Sequence, residues 1–283
     1  MNVLSIQSWV SYGHVGNASA VFPMQRLGHE VWAIHTVQFS NHTGYGAWKG
    51  RVYDGPMIEE LVEGMADRGV LGRCDGVLSG YMGSPDIGTA ILQAVSRVRA
   101  ANSAALYCCD PVIGDVGRGI FVRPGIPEFM RDQAVPAADI ITPNQFELEY
   151  LSGRTITTLA DAVAAVEAVR ARGPRTVMVT SLITEDTPAD ALDLLACGPN
   201  GRFRLRTPKL GVSVNGAGDA IAALFFVHAA ASGDEAFALS RAASSVFGLL
   251  RRTEEAGSRE ILTVAAQDEF VAPSRIFTPE AIA

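Results

Sequence analysis

Residues 214–220 read VNGAGDA, and apolar residues dominate the stretch that follows, up to residue 232. Asn215-Gly216 is a strong turn signal that often marks a hairpin, but no alternating strand pattern follows it. Alanine, leucine and phenylalanine instead continue over helical length, so we predict a turn that leads into a helix at 217–232. Because glycine has no Cβ, Gly216 and Gly218 would let a ligand approach the backbone where this helix begins.

Asp219, in the first turn of the predicted helix, has two interpretations. An acidic residue there is favourable in any protein, because the N-terminal end of a helix carries partial positive charge. Alternatively, the free N–H groups of the first turn bind an anion such as a phosphate. A carboxylate beside that phosphate could accept the proton of an attacking hydroxyl group. The stretch therefore raises phosphoryl transfer to an alcohol as a hypothesis, which the rest of the chain must decide.

The composition is that of an acidic globular protein, since the 283 residues are 48% hydrophobic and carry a formal net charge of −7. Nucleic-acid-binding proteins normally have a basic face and anionic membranes attract polybasic runs, so the sequence argues against both partners. The longest apolar run, 220–232, is too short to span a bilayer. The cysteines form no C-x-x-C pair and the N-terminus lacks a basic signal-peptide region, so we predict a cytoplasmic protein.

Short β-rich segments alternate with longer helical ones along the first 180 residues. The predicted strands are VLSIQ (3–7), VWAIH (31–35), GVLSG (76–80), ALYCC (105–109), DIITP (139–143) and TVMVT (176–180). The amphipathic helical stretches lie near 16–27, 56–69, 87–101, 125–134, 145–152 and 159–172. Uninterrupted apolar strands separated by helices indicate a mostly parallel sheet covered on both faces, which is a three-layer α/β/α fold.

After residue 180 the pattern changes to a hairpin and two long helices. ALDLLA (191–196) and RFRLRT (202–207) flank a turn signal and predict an antiparallel hairpin at the sheet edge. The two helices are predicted at 217–232 and 235–252. Neither a linker-like composition nor an internal repeat divides the chain, so we predict a single domain over residues 1–283.

Polar residues follow several predicted strands, at the point where each strand ends. They lie in SYGHVGN (11–17), SGYMGS (79–84), CDPVIGD (109–115) and TPNQFELE (142–149). Ligands of open α/β sheets bind beyond the carboxyl ends of the strands, so these segments predict the site. Residues 40–55 are rich in glycine and aromatic residues and interrupt the alternation of strands and helices, which predicts a flap over that site. The chain has neither a P-loop nor a G-x-G-x-x-G motif.

Three residues of these segments have both a structural and a functional interpretation. Asp110 precedes a proline, so it either forms an Asx turn or places a carboxylate near a metal or a phosphate. Asn144 and Glu147 have the spacing of a capping box at the start of a helix. Alternatively, they take part in water-mediated Mg²⁺ coordination, because Mg²⁺ usually keeps several waters and takes one or two carboxylates.

Taken together, these segments resemble the pyridoxal kinases of the ribokinase-like superfamily. GAGD at the start of a late helix is similar to the anion-hole signature of the superfamily. The narrower resemblance is carried by SIQSWVSYGHVGN (5–17), VQFSNHTGYGAWKG (37–50), VLSGYMGS (77–84), CDPVIGD (109–115) and TPNQFELE (142–149). QFSNHTGY is the most diagnostic segment, since the sugar kinases of the superfamily lack it. The match runs in order from residue 3 to about residue 252.

The resemblance implies ATP-dependent phosphorylation of the 5′-hydroxymethyl group of pyridoxal, with Mg²⁺, in a homodimeric enzyme. It implies that Asp219 is the general base and that an anion hole is formed by the amides of Gly216, Ala217 and Gly218. The implied vitamin pocket consists of Ser8, Thr43, Gly44 and Tyr81. The implied ATP-binding residues are Asp110, Asn144, Glu147, Thr180, Ser181, Thr207, Pro208, Lys209 and Leu210. The implied surroundings of the metal are Asp110, Asp115 and Glu147.

The chain departs from some bacterial members at Thr180, where those members have a lysine. Two alternative functions stay open at this point. One is a hydroxymethylpyrimidine kinase or another small-alcohol kinase of the same fold. The other is a non-catalytic protein that binds the vitamin but does not phosphorylate it.

Overall fold

Apolar strands form the central sheet of the computed structural model, which describes residues 1–282. The strands are β1 (Asn2–Val10), β2 (Glu30–Phe39), β3 (Gly50–Val52), β4 (Gly76–Ser79), β5 (Leu106–Cys109), β6 (Gly114–Asp115), β7 (Gly119–Ile120), β8 (Ile140–Ile141), β9 (Thr176–Leu182), β10 (Ala191–Gly198), β11 (Gly201–Pro208) and β12 (Glu280–Ala281). All but β6 and β7 belong to one ten-stranded sheet of order β12-β11-β10-β9-β8-β5-β4-β1-β2-β3. β6 and β7 form a small separate hairpin.

The middle of the sheet is parallel and its two edges are antiparallel. β1 pairs in parallel with β2 on one side, where Val3 lies opposite Val31, and with β4 on the other, where Val3 lies opposite Gly76. β5, β8 and β9 continue the parallel part, whereas β3, β10, β11 and β12 pair antiparallel. β1 therefore lies between β2 and β4, and the strand order extends from it in both directions. In open parallel sheets, ligands bind at such a switch point, beyond the carboxyl ends of the strands.

Helices cover both faces of the sheet. They are α1 (Asn17–Arg26), α2 (Gly55–Asp67), α3 (Pro85–Ala101), α4 (Ile126–Phe129), α5 (Val135–Ala137), α6 (Gln145–Ser152), α7 (Leu159–Arg170), α8 (Ala217–Ser232), α9 (Glu235–Glu255) and α10 (Asp268–Val271). Strand side chains alternate between the two layers: Leu4 packs with the layer of α2 and α3, and Val3 with that of α8 and α9. Cys109 and Cys108 separate in the same way, because successive strand residues point to opposite faces.

Most predicted elements are present, with shifted ends. β1 and β2 extend further than predicted, and β8 is shorter. The helix predicted at 125–134 is interrupted, since α4 passes into a wider π-helical stretch over Met130–Ala134 before α5. Pro136 contributes to this irregularity, because it has no N–H group for a regular helical hydrogen bond. The predicted hairpin is β10–β11, but the short β12 lies outside it at the edge of the sheet.

The flap predicted at 40–55 is partly regular. Its Thr43–Tyr45 segment forms a single 3₁₀ turn, and its β3 portion pairs with β2, so the flap is attached to the sheet at its base. Asp54 ends the flap and caps α2, with its side chain accepting a hydrogen bond from the Met57 amide. Over residues 1–282, no helix is both long and apolar enough to cross a membrane.

Candidate active site

A cavity of about 910 Å³ lies beyond the carboxyl ends of the parallel strands. It brings together fourteen of the predicted site residues, which line it: Ser8, Thr43, Gly44, Tyr81, Asp110, Asp115, Asn144, Glu147, Thr180, Ser181, Gly216, Ala217, Gly218 and Asp219. The loops after β1, β4, β5 and β8, the flap and the turn before α8 all contribute to its walls. The division of this lining into a vitamin side and a nucleotide side, which the resemblance implies, stays a prediction.

The two glycines of the turn before α8 serve different purposes. Gly216 precedes the helix with a φ of 92°, and a Cβ at this position would lie 1.8 Å from the carbonyl oxygen of His14. Glycine at 216 is therefore required by the protein itself. A Cβ on Gly218, by contrast, would meet no atom within 4 Å, and this residue lines the cavity. The Ala217 and Gly218 amides belong to the first helical turn, where N–H groups have no partner within the helix.

Asp219 lies at the cavity wall and remains partly accessible. Burial raises the pKa of its carboxyl group to about 6, although a hydrogen bond from the Gly16 amide opposes this shift. Gly16 is held tightly, with a φ of 56°, and its Cβ would lie 2.3 Å from the carbonyl oxygen of Ser8. Gly16, in the loop between β1 and α1, thus contacts both Asp219 and Ser8. A carboxylate with this pKa is mainly ionised at neutral pH and can accept a proton from a nearby hydroxyl group.

Asp110 is buried at the end of β5, and its carboxylate points to the neighbouring strand. Thr142 donates a hydrogen bond to it at 2.9 Å. Burial raises the pKa of Asp110 well above its usual range, and the nearby Glu147 and Asp219 carboxylates add to this shift. The side chain therefore contacts the residue that follows β8 and lies in the acidic part of the cavity, which favours the functional interpretation of Asp110 over a local Asx turn.

The capping interpretation of Asn144 and Glu147 is confirmed. The Asn144 side chain accepts from the Glu147 amide at 2.9 Å, and Glu147 Oε2 accepts from the Asn144 amide at 2.9 Å. Glu147 Oε1 also accepts from the Ile113 amide at 2.9 Å. Burial raises the pKa of Glu147 to about 8, despite the opposing amide hydrogen bonds. Glu147 thus connects the start of α6 to the loop after β5. Because both of its oxygens already accept amide hydrogen bonds, it would contact a metal only through a water molecule.

The acidic residues of the cavity suit a divalent cation. In the described residues 1–282, Asp110, Glu147 and Asp219 have no Lys, Arg or His partner within ion-pair distance. The same range holds no group of three His, Cys, Asp or Glu residues arranged as a ready-made metal site. Mg²⁺ needs no such group, because it takes one or two carboxylates and completes its shell with water and phosphate oxygens. Asp110 and Asp115 can provide those carboxylates.

The predicted nucleotide residues fall into two groups. Thr180 and Ser181 line the cavity at the end of β9, and Ser181 has a φ of 53°, which is uncommon for a residue other than glycine. The Thr207–Leu210 stretch does not line the cavity. Thr207 is buried at the end of β11, and Lys209 is exposed, with its amide donating to Asp190. Their contact with adenosine stays a prediction.

Comparisons with known proteins agree with this geometry. A family model described as phosphomethylpyrimidine kinase matches residues 72–263. The chain is 67% identical to the pyridoxal kinase PdxY of Granulibacter bethesdensis over 282 residues, which cover 98% of each chain. It is 55% identical to the pyridoxal kinase PdxY of Deinococcus radiodurans over 99% of its own length and 96% of the relative. The chain belongs to the pyridoxal kinase family.

Solved structures of pyridoxal kinases confirm the predicted α/β fold. The pyridoxal kinase of Leishmania donovani in complex with ADP and pyridoxamine has a TM-score of 0.91 and 31% identity. That alignment covers 100% of this chain and 99% of the other. The same enzyme in complex with ADP and pyridoxine has a TM-score of 0.91 and 32% identity, with the same coverage. The mostly parallel sheet with helices on both sides is thus the fold of the pyridoxal kinase family.

Two arginines of the cavity were missed by the sequence analysis. Arg118, between β6 and β7, and Arg123, just after β7, are exposed and line the cavity. The Arg118 guanidinium lies 5.2 Å from the centre of the Phe121 ring. Burial raises the pKa of Tyr81, which lines the same cavity, and the charge of Arg123 opposes this shift. Their position only three and eight residues after Asp115 was the available signal.

The apolar part of the cavity was also not predicted residue by residue. Its lining side chains come from strands, from the flap and from the loop after β1: Val10, Val15, Val37, Phe39, Trp48 and Val52. Ligand pockets commonly combine such an apolar lining with a few placed polar groups. Ser8, Thr43 and Tyr81 line the same cavity and carry polar atoms.

Proposed function

We propose that this chain transfers the γ-phosphoryl group of ATP to the 5′-hydroxymethyl group of pyridoxal, giving pyridoxal 5′-phosphate in vitamin B6 salvage. The observation that carries the proposal is that Asp219 shares one cavity with the free amides of Ala217 and Gly218 and with the polar residues Ser8 and Thr43. A proton acceptor, an anion site and a pocket for a polar ring thus lie together. Phosphoryl transfer requires mainly such positioning and charge stabilisation.

In the proposed reaction, each part of the cavity has one task. Asp219 accepts the proton of the vitamin hydroxyl group as its oxygen bonds to the γ-phosphorus and the bond from phosphorus to ADP breaks. The Ala217 and Gly218 amides hold the phosphoryl oxygens during the transfer. Ser8, Thr43, Gly44 and Tyr81 hold the pyridine ring, and Thr180 and Ser181 contact the nucleotide phosphates.

Mg²⁺ is part of the proposal, with Asp110 and Asp115 as its carboxylates and Glu147 behind a water. When bound, it would offset the negative charge of the nucleotide phosphates next to the acidic cavity. Arg118 and Arg123 also line the cavity and could add positive charge there. Lys209 lies outside the cavity lining, so we assign it no part in this charge stabilisation.

We further propose that the whole chain acts as one kinase domain, in the cytoplasm and as a homodimer. The four cysteines are buried and free, which supports a reducing compartment. The homodimer rests on the family alone, and sedimentation equilibrium of the purified chain would test it. A mass of one chain, 30.0 kDa, at micromolar concentration would contradict the dimer.

A substrate panel with ATP tests the proposed reaction. Pyridoxal, pyridoxamine, pyridoxine and hydroxymethylpyrimidine are each incubated with ATP, with and without Mg²⁺, and ADP release is measured. We expect turnover with pyridoxal that is lost when Mg²⁺ is removed by a chelator. Turnover confined to hydroxymethylpyrimidine would replace the proposal by the second candidate, which the matching family model favours by its description. Tight binding of pyridoxal without ADP release would indicate a non-catalytic carrier.

A further inference from the structure

The C-terminal part of the chain reaches the flap through one carboxylate. Glu260 Oε1 accepts a hydrogen bond from the Tyr45 hydroxyl at 2.6 Å and lies 3.3 Å from His42 Nε2. Its other oxygen, Oε2, accepts from the His14 amide at 3.3 Å. Both the His42 and the Glu260 side chains are largely buried, with exposed fractions of 11% and 12%. Glu260 therefore joins three segments that are far apart in sequence.

The two flap residues that Glu260 contacts flank the predicted vitamin contacts. Thr43 and Gly44 line the cavity, and His42 and Tyr45 stand immediately before and after them. The His42 and Tyr45 rings are 4.5 Å apart, so they lie together on the same side of the 3₁₀ turn. The Glu260 carboxylate thus fixes both ends of this turn at once.

Glu260 itself is held by a rigid part of the protein. The next residue, Ile261, is fully buried, in the core that also contains α8. Ser258 Oγ donates to the Glu260 carbonyl oxygen and accepts from its amide. The Leu262 amide donates to the buried Thr253 side chain of α9 at 3.2 Å. The carboxylate therefore offers the flap a fixed acceptor rather than a mobile surface charge.

We propose that Glu260 is a positioning residue that holds the 42–45 turn over the vitamin half of the cavity, through Tyr45 and His42. Without it, the flap would have to be ordered by the substrate, and binding would be weakened by that ordering cost. The nucleotide half, built on β9, α6 and α8, does not contact Glu260 and would be little affected. The inference rests on the proposed function only for the identity of the substrate.

The test compares Glu260→Ala and Tyr45→Phe with a matched control, Glu269→Ala. Glu269 is also a buried C-terminal glutamate, but it accepts hydrogen bonds from Ser274 and contacts no part of the flap. Tyr45→Phe removes only the hydroxyl group and leaves the fold intact. Each variant is assayed for KM of pyridoxal, KM of ATP and kcat, and for amide hydrogen exchange without substrate.

We expect Glu260→Ala and Tyr45→Phe, the two flap variants, each to raise KM for pyridoxal by roughly tenfold, because each removes a hydrogen bond to a charged group. KM for ATP should stay within about twofold of the wild-type value. Amide exchange should accelerate in residues 40–49 and not in α6 or α8. ADP release without pyridoxal should increase, because a loose flap admits water. Glu269→Ala should leave KM for pyridoxal and flap exchange unchanged.

Two results would overturn the inference. One is that both flap variants keep the pyridoxal KM and the flap exchange of the wild type. The other is that Glu269→Ala changes both quantities as much as Glu260→Ala does, which would reduce Glu260 to a general stabilising residue. The exchange measurement needs no substrate. Faster flap exchange in a protein that turns over no vitamin would therefore refute the proposed function and leave the role of Glu260 intact.

Discussion

The starts of α6 and α8 both place a carboxylate at the cavity, but they use their helix ends in opposite ways. At α6 the Asn144 side chain caps the helix, and Glu147 returns a hydrogen bond to the Asn144 backbone. At α8 the preceding residue is Gly216, which has no side chain to cap the first amides. The start of α6 is therefore capped within the protein, whereas Gly216 provides no side-chain cap for the first amides of α8.

The two carboxylates differ accordingly. Both oxygens of Glu147 accept protein amides, and the residue is 4% exposed. Asp219 is partly accessible and receives its protein hydrogen bonds from the Gly16 amide and its own. An acid whose acceptors are occupied holds a loop in place, while one that faces a cavity can act on a substrate. Two acidic residues at equivalent positions of their helices thus have different surroundings, and we propose a different function for each.

The strongest test of this contrast is Asp219→Asn. The amide is close to the carboxylate in shape but cannot accept the hydroxyl proton, so we expect kcat to fall by about 10²-fold or more. KM for pyridoxal should change little, because the cavity keeps its shape. Steady-state kinetics with pyridoxal and ATP measure both constants. A kcat near that of the wild type would remove Asp219 from the role of general base.

At Glu147 we expect a substitution to lower the stability of the protein. Glu147→Ala leaves the buried amide of Ile113 and the Asn144 amide without acceptors, and each such loss costs about 1–3 kcal/mol. We expect the free energy of unfolding to fall by about 2–6 kcal/mol, measured by urea denaturation. The exposed Glu59→Ala in α2 serves as the control and should change stability little. Equal stability of the two variants would contradict the structural role of Glu147.

Substitutions of Gly216 and Gly218 should have different effects, one on stability and the other on kcat, although the two residues belong to the same turn. Gly218→Ala adds a methyl group where the protein leaves room, so stability should be retained while kcat falls roughly tenfold through crowding of the phosphoryl group. Gly216→Ala should instead lower the free energy of unfolding by at least about 1–3 kcal/mol, because of its positive φ and its contact with His14. Thermal denaturation and kinetics of both variants are needed. A destabilised Gly218→Ala with normal kcat would reverse the assignment.

The sequence predicted those parts of the fold that depend on local signals. The turn before α8 and the capping box of α6 are both set by neighbouring residues. α8 has the predicted bounds for the same reason. The helix predicted at 125–134 was less regular, because the outcome there depends on Pro136 and on packing against the sheet.

The residues that sequence reasoning missed reach the cavity or the flap through long-range contacts. Glu260 is separated from Tyr45 by 215 positions, and no periodicity or spacing connects them. Arg118 lies in the β6–β7 hairpin and Arg123 follows it, and this hairpin is contacted from a distant segment, because the Asn144 side chain donates to the Gly114 carbonyl oxygen. Thr207–Leu210 shows the converse, since a segment assigned from the resemblance lies outside the cavity lining. Local patterns thus locate a site, but its surroundings depend on tertiary structure.

The pH dependence of kcat/KM for pyridoxal provides the finest test of the difference between the two acids. Burial raises the pKa of Asp219 to about 6, so protonation below this pH removes the proton acceptor. We expect kcat/KM, which reports the ionisation of the enzyme before pyridoxal binds, to be about half its plateau value near pH 6 and to fall about tenfold per pH unit below it. Because Glu147 takes no proton from the substrate, the midpoint of this profile should be the same in Glu147→Gln. Stopped assays at pyridoxal concentrations well below KM, between pH 5 and 8, measure the profile. A wild-type profile that stays flat through pH 6, or a midpoint that moves in Glu147→Gln, would contradict the assignment of the proton acceptor to Asp219.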